Sequence, residues 1–255
     1  MNGRLVRLLG VAVTLATPAG AQPSTQWKQH AMDRPQPPVV DPGAGAIPVP
    51  PPRDAIVLFD GSDLSKWVHG DGKVATWVVR NGYFEIRPGS GGIATRDSLP
   101  GDLQLHIEWM APAPPKGTGQ DRGNSGVFLM QRYEVQILDS FGNTTYPDGQ
   151  AAAVYGQFPP LVNASRPPGN WQSYDIVFHG PRFDSSGRLT RPATVTVLHN
   201  GILVQDNVTL SGPVGHHARP PYEAHPAKMP LGLQDHAHPV RFRNIWVREL
   251  KPESR

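Results

Sequence analysis

The chain has 255 residues, with 27 glycines, 29 prolines and no cysteine. That composition suits one large unit of many turns and short strands, because proline breaks long helices, and it excludes disulfides, thiolate metal sites and a cysteine nucleophile. The net charge of +3 falls to +1 once Arg4 and Arg7 are set aside, and no Lys/Arg cluster remains to track phosphates, so nucleic acid is not an expected partner.

The chain opens with basic "MNGRLVR", apolar "LLGVAVTLA" and small "AGA" before Gln22. This is the layout of a secretory signal peptide, residues 1–21, and predicts a periplasmic or secreted protein. The apolar run is short for a membrane span and no second one follows, so no membrane insertion is expected. Residues 22–52 end in "RPQPPVVDPGAGAIPVPPP". Proline at that density predicts an extended, disordered tail that buries little, with a folded domain over 53–251.

Period-2 patterns then dominate. "TWVVRNGYFEIRP" predicts a hairpin turning at Asn81-Gly82. In "LQLHIEWM", Leu103, Leu105, Ile107 and Trp109 share one face, and Gln104, His106 and Glu108 the other. "NSGVFLMQRYEVQILD" reads as two apolar strands joined at Gln131-Arg132, "YDIVFHG" as another strand, and "ATVTVLHNGILVQDNV" as a hairpin turning at Asn200-Gly201. "VRFRNIWVREL" closes the chain. No window sustains a helical repeat. The fold class predicted is all-β, a two-sheet antiparallel sandwich or jelly roll.

One strand carries chemistry within an apolar run. Alternation in "YEVQILD" puts Tyr133, Val135 and Ile137 toward the space between sheets and Glu134 and Gln136 on the opposite face, with Asp139 at the strand end. A second polar cluster, Gln234, Asp235, His236, His238, Arg241 and Arg243, lies in "LGLQDHAHPVRFRNI". The spacing of His216, His217, His225, His236 and His238 matches neither H-E-x-x-H nor a finger, so a structural zinc is not expected. A divalent cation held by loop Asp and carbonyl oxygens stays open. "GPVGHH" and "RPGSGGI" read as turns, and no G-x-S-x-G nucleophile elbow is present.

"LFDGSDLSKW", "NSGVFLMQRYEVQILDS", "AAAVYGQFPPLVNASRPPGNWQSYDI", "TVLHNGILVQDN" and "PLGLQDHAHPVRFRNIWVREL" occur in this order over Ile56 to Leu250. Together they resemble the family once called domain of unknown function 1080, now described as a 3-keto-glucoside 1,2-lyase, 3-keto-2-hydroxy-glucal hydratase or 3-keto-disaccharide hydrolase domain. The resemblance implies a concanavalin A-like jelly roll and an enzyme acting on an oxidised sugar or glycoside without an organic cofactor. A C3 ketone acidifies the C2 proton; a base removes it, the C1 substituent leaves with a proton, and water adds back to the glucal. Such chemistry needs one base, one acid and donors to an enolate oxygen.

By that resemblance Glu134 and His236 are the candidate acid/base pair, their order open. Arg122, Asn124, Gln136, Gln234 and Arg243 are candidate donors to the keto oxygen and hydroxyls. Tyr155 and Trp171 are candidates to flank the ring, and Asp139 to orient a neighbour or bind a cation. Gln172 departs from the asparagine common in the family and is expected to alter substrate fit. The competing reading is a non-catalytic, lectin-like carbohydrate-binding module. A conventional glycosidase needs two carboxylates flanking the bond. Gln136 and Leu138, two and four residues after Glu134 on its face, are not acids, which disfavours that reading, although His106 and Glu108 on another strand leave it open. No oligomeric state is implied.

Overall fold

The computed structural model describes residues 26–44 and 48–251; the expected signal segment lies outside them. Seventeen strands follow in chain order: β1 (Ile56–Phe59), β2 (Trp67–His69), β3 (Val78–Arg80), β4 (Tyr83–Glu85), β5 (Ile93–Thr95), β6 (Leu99–Pro100), β7 (Asp102–Met110), β8 (Ser125–Leu129), β9 (Tyr133–Ile137), β10 (Gln172–His179), β11 (Arg182–Phe183), β12 (Leu189–Arg191), β13 (Thr194–His199), β14 (Ile202–Thr209), β15 (Lys228–Met229), β16 (Gly232–Leu233) and β17 (Arg241–Glu249). Among the described residues the one helical element is the 3₁₀ turn Pro147–Gly149, and no helix is long and apolar enough to cross a membrane.

The strands form two main antiparallel sheets. An eight-stranded sheet runs β14-β13-β10-β7-β17-β4-β3, with β1 also on β17; a five-stranded sheet runs β2-β5-β16-β8-β9. This is the expected sandwich of the jelly-roll type. Both Asn-Gly hairpins form as predicted. Asn81 and Gly82, and Asn200 and Gly201, all have positive φ, which matches the twist of the flanking strands at a two-residue turn.

Alternation sets the core. Leu103, Leu105, Ile107 and Trp109 of β7 pair in register with Phe178, Ile176, Tyr174 and Gln172 of β10, and all eight are buried. Tyr133 of β9 meets Phe178 across the gap with ring centroids 5.6 Å apart, so the inner face of the small sheet carries Tyr133, Val135 and Ile137. Tyr174 Oη donates to the Gln136 carbonyl at 2.7 Å, satisfying a phenol that would otherwise be costly to bury. Each large core side chain, such as Trp67, Phe84 or Phe242, contributes about 1.5–3 kcal/mol by leaving water.

Residues 26–44 depart from the expected tail. They are extended, as proline dictates, but docked. Val40 N–H donates to Asn163 O at 3.0 Å and Asn163 N–H to Pro38 O at 2.8 Å. Gln36 donates to Thr145 O at 2.7 Å and accepts from Gln150 at 3.0 Å, and Gln29 donates to Gly215 O at 2.7 Å. Proline-rich segments bury little against themselves, yet their free carbonyls and interspersed glutamines can bond to a neighbouring loop.

Candidate active site

Glu134 and Gln136 project from the outer face of the small sheet, as alternation requires. They stand opposite Phe128 and Gly126 of β8. A Cβ at residue 126 would collide with Glu134 Oε1, so the glycine makes the space that the carboxyl group occupies. β16 continues the same face: Gln234 N–H donates to Gly126 O at 3.1 Å, and Ser125 Oγ donates to Gln234 O at 2.7 Å. These bonds bring the segment after β16, and with it His236, over the sheet.

Loops complete a pocket of about 420 Å3. Its walls are Gln120, Asn124, Phe128, Glu134, Gln136, Tyr146, Tyr155, Val214, Gly215, His216, Gln234 and His236. The size and the mixture of apolar wall and convergent polar groups suit a small ligand. The 3₁₀ turn places Tyr146, and Gln120 holds that turn through Nε2 to Thr145 Oγ1 at 3.1 Å and Gly149 O at 2.9 Å. Asn124 Nδ2 donates to Gln120 O at 2.8 Å.

The electrostatics are those of a site rather than of a settled ion pair. Glu134 is 6% exposed, and among the described residues no Lys, Arg or His pairs with it; burial pushes its carboxyl group up to about 8. With its amide turned to satisfy the surroundings, Gln136 donates to Glu134 Oε1 at 3.2 Å and to Ser125 O at 2.9 Å. Tyr146 and Tyr155 share a 2.7 Å hydrogen bond, and Tyr155 Oη lies 3.4 Å from His216 Nδ1. Burial, with a further push from the Glu134 and Asp148 charges, raises both phenols, so each keeps its proton at neutral pH and can donate to an anionic oxygen. Gln234 Oε1 is buried without a partner at the same wall.

Six residues singled out in the sequence therefore meet in one pocket: Glu134, His236, Asn124, Gln136, Tyr155 and Gln234. Four others lie elsewhere. Arg122 and Asp139 line a neighbouring pocket of about 430 Å3 with Arg80, Glu85, His238 and Arg241. Arg122 Nε donates to Asp139 Oδ2 at 2.7 Å, so the carboxylate proposed for a cation is occupied by a guanidinium. The rings of His236 and His238 stack with centroids 5.7 Å apart, one on each pocket.

Trp171 and Arg243 are on the far side of the sandwich. Arg243 donates to Glu108 Oε2 at 2.6 Å and its guanidinium lies 4.1 Å from the Trp171 ring centroid, both on the outer face of the large sheet. They flank no ring bound near Glu134. Gln172 is likewise structural: its amide bonds Arg166, His199 and Asn200 inside the sandwich, away from the pocket. Glu108 faces away from Glu134 across both sheets, which removes it as a second glycosidase carboxylate. Gln120 and Tyr146 were not singled out from the sequence, and His216 stood there only in a histidine set whose spacing fits no zinc motif. Tyr146 precedes Pro-Asp-Gly, a turn signal that marks a loop but not what the loop covers.

An antiparallel jelly-roll sandwich with an acid/base-lined pocket on the outer face of its smaller sheet is the class this molecule defines. The chain belongs to the 3-keto-alpha-glucoside-1,2-lyase-like domain family, whose pattern matches residues 54–248. It is 26% identical over 243 residues to a 3-keto-disaccharide hydrolase of Bacteroides thetaiotaomicron, covering 76% of this chain and 78% of that protein. A crystal structure from Parabacteroides distasonis, provisionally assigned as a glycosyl hydrolase, superposes with a TM-score of 0.75 at 43% identity, covering 85% of this chain and 93% of that one. A second from the same organism, of similar assignment, has a TM-score of 0.57 at 20% identity over 78% and 94%, and shares the fold.

Proposed function

We propose that this protein cleaves 3-keto-glycosides by elimination and rehydration, without an organic cofactor, and that it does so after export to the periplasm or the medium. The observation that carries the reading is Glu134: a carboxyl group without a cationic partner, its pKa raised by burial to about 8, facing a pocket that also holds His236 and two protonated tyrosines. A group that titrates near working pH serves best in proton transfer. Family membership supplies the substrate class, and the layout of residues 1–21 supports the export.

In the elimination the C2–H bond breaks and its electron pair passes into the C3 carbonyl, giving a C2=C3 enolate; the ketone then re-forms as the pair moves into the C1=C2 bond. The C1–O bond to the leaving group breaks, and that oxygen takes a proton. Glu134 and His236 form the pair that removes the one proton and delivers the other. Tyr146 and Tyr155 donate toward the developing enolate oxygen, while Asn124, Gln136 and Gln234 fix the sugar hydroxyls. Water then adds across the double bond with the same pair, so the net change is hydrolysis. Direct displacement by a pair of carboxylates is not supported, because among the described residues Glu134 is the one carboxylate lining the pocket.

The test is to incubate the protein in heavy water with a 3-keto-glycoside and with its unoxidised parent. Release of the leaving group from the keto compound alone, with deuterium at C2, is the expected result. Cleavage of the parent without C2 label overturns the mechanism. Saturable sugar binding with no turnover of either compound identifies a lectin-like binding module instead.

A further inference from the structure

His30, His216 and His217 come together beside the pocket. One ring nitrogen from each lies within 4.8 Å of the others, and this is the one cluster of three metal-ligand side chains among the described residues. The sequence argued against a zinc site because no spacing fitted, but the third histidine comes from the N-terminal segment, far from the other two in the chain.

The cluster is held by its surroundings. His30 N–H donates to Asp148 Oδ2 at 3.1 Å, and Gln29 Nε2 donates to Gly215 O at 2.7 Å, which ties the segment to the His216–His217 loop. The His30 ring stacks on Tyr146 with centroids 4.1 Å apart. His30 and His217 both have positive φ, an uncommon backbone state for a non-glycine residue. That turn lets the neighbouring rings of His216 and His217 converge, with centroids 3.9 Å apart, where successive side chains otherwise diverge.

The decisive feature is that both ring nitrogens of His30 are buried and neither has a hydrogen-bond partner. A buried polar nitrogen left unsatisfied keeps its full desolvation cost, so such a group calls for a partner. Zinc–imidazole bonds of about 2.0–2.1 Å place tetrahedral nitrogens roughly 3.4 Å apart. His216 and His217 are exposed, and closing the set requires their rings to move inward by the remaining distance. The carboxylate of Asp148 behind His30 offsets the nearby Arg219 guanidinium.

We propose that His30, His216 and His217 bind a divalent transition metal of the zinc type, which clasps the N-terminal segment onto the domain. Three imidazoles without thiolates suit zinc, copper or nickel, and leave a fourth position for water or a substrate oxygen. His216 also lines the Glu134 pocket, so that position sits at the pocket edge. The proposal stands apart from the reaction assigned to the pocket, because its readout is metal binding.

The experiment uses the full chain without a histidine tag, stripped with a chelator and titrated with zinc by calorimetry and with cobalt by visible absorption. One equivalent of each metal, and the intense bands of tetrahedral cobalt, are expected. Loss of a directly bonded histidine in His30→Ala or His216→Ala should weaken binding by more than about 100-fold, beyond what loss of an outer-sphere partner produces. His179→Gln, remote and half-exposed, should leave it unchanged. Zinc should also slow tryptic cleavage after Lys28, two residues before His30, in the parent but not in His216→Ala. His30→Gln separates loss of a ligand from loss of ring packing if His30→Ala disturbs the fold. Absence of stoichiometric binding, or full affinity in the His30 variants, overturns the proposal.

Discussion

The two outer faces of the sandwich each present a buried glutamate two residues from another polar side chain of its strand, and use it in opposite ways. On the large sheet, His106 and Glu108 are fully buried in a closed network. His106 Nδ1 bonds Asp175 Oδ1 at 2.7 Å, and Glu108 accepts from Arg243 at 2.6 Å and Asn244 at 2.8 Å. Burial opposes both charges, but the bonds outweigh it, lifting His106 to about 9 and holding Glu108 below the usual carboxylate range. On the small sheet, Glu134 has burial without charge partners, and its pKa moves the other way, to about 8. A strand that presents a carboxylate is therefore not thereby a site. What decides is whether the fold supplies the charge that satisfies it.

The largest effects should separate the two faces. Glu134→Gln should lower turnover of a 3-keto-glycoside by about 10²–10⁴-fold while leaving the fold as stable or more stable at pH 8. Glu108→Gln should leave turnover near the parent's but cost about 3–5 kcal/mol in denaturant unfolding, since it strands Arg243 and weakens His106. If Glu108→Gln abolished turnover at unchanged stability, the assignment of the faces would be wrong.

A pH series sharpens the contrast. The Glu134 folded pKa of about 8 exceeds its ordinary 4.5, so its contribution is fully present below pH 4.5 and is lost as pH rises through 8. The parent should lose on the order of 5 kcal/mol over that window relative to Glu134→Gln. His106, raised to about 9, contributes below pH 6.5 and loses it as pH rises through 9. In the difference between parent and His106→Asn, the slope should fall in that higher window. Coincident windows for the two variants would contradict the separate environments.

Gly126→Ala asks whether the space beside Glu134 is needed. Its Cβ must displace the carboxyl group, so turnover should drop, and overpacking should cost about 1–3 kcal/mol by thermal unfolding. Unchanged turnover would mean that the carboxyl position is not critical. The smallest effect is expected for Tyr155→Phe, which removes the 2.7 Å bond to Tyr146 for about 1 kcal/mol of stability. Its turnover should fall more than its stability suggests, if the phenol donates to the enolate.

Alternation made much of this legible. "LQLHIEWM" and "YEVQILD" each assign their residues to faces correctly, and both Asn-Gly turns fold as hairpins, because strand period and turn sterics are local. The motif around Gln234 and His236 also reaches the pocket. Trp171, Arg243 and Gln172 did not follow, although each neighbours a family motif. Nearness in a motif does not say on which side of a sandwich a side chain emerges.

By itself, then, the sequence determined nine of the seventeen strands, the all-β class, the side of its strand on which Glu134 stands, and a family membership that the match over residues 54–248 bears out. Only the tertiary structure decided what covers each face: a closed ion network over β7, and over β9 a pocket roofed by Tyr146, Tyr155 and His216. It alone carried His30 to His216 and His217. The reason is physical. The direction of a side chain follows from backbone geometry within a few residues, whereas its partners depend on where distant loops return, and that is set by the packing of the whole chain.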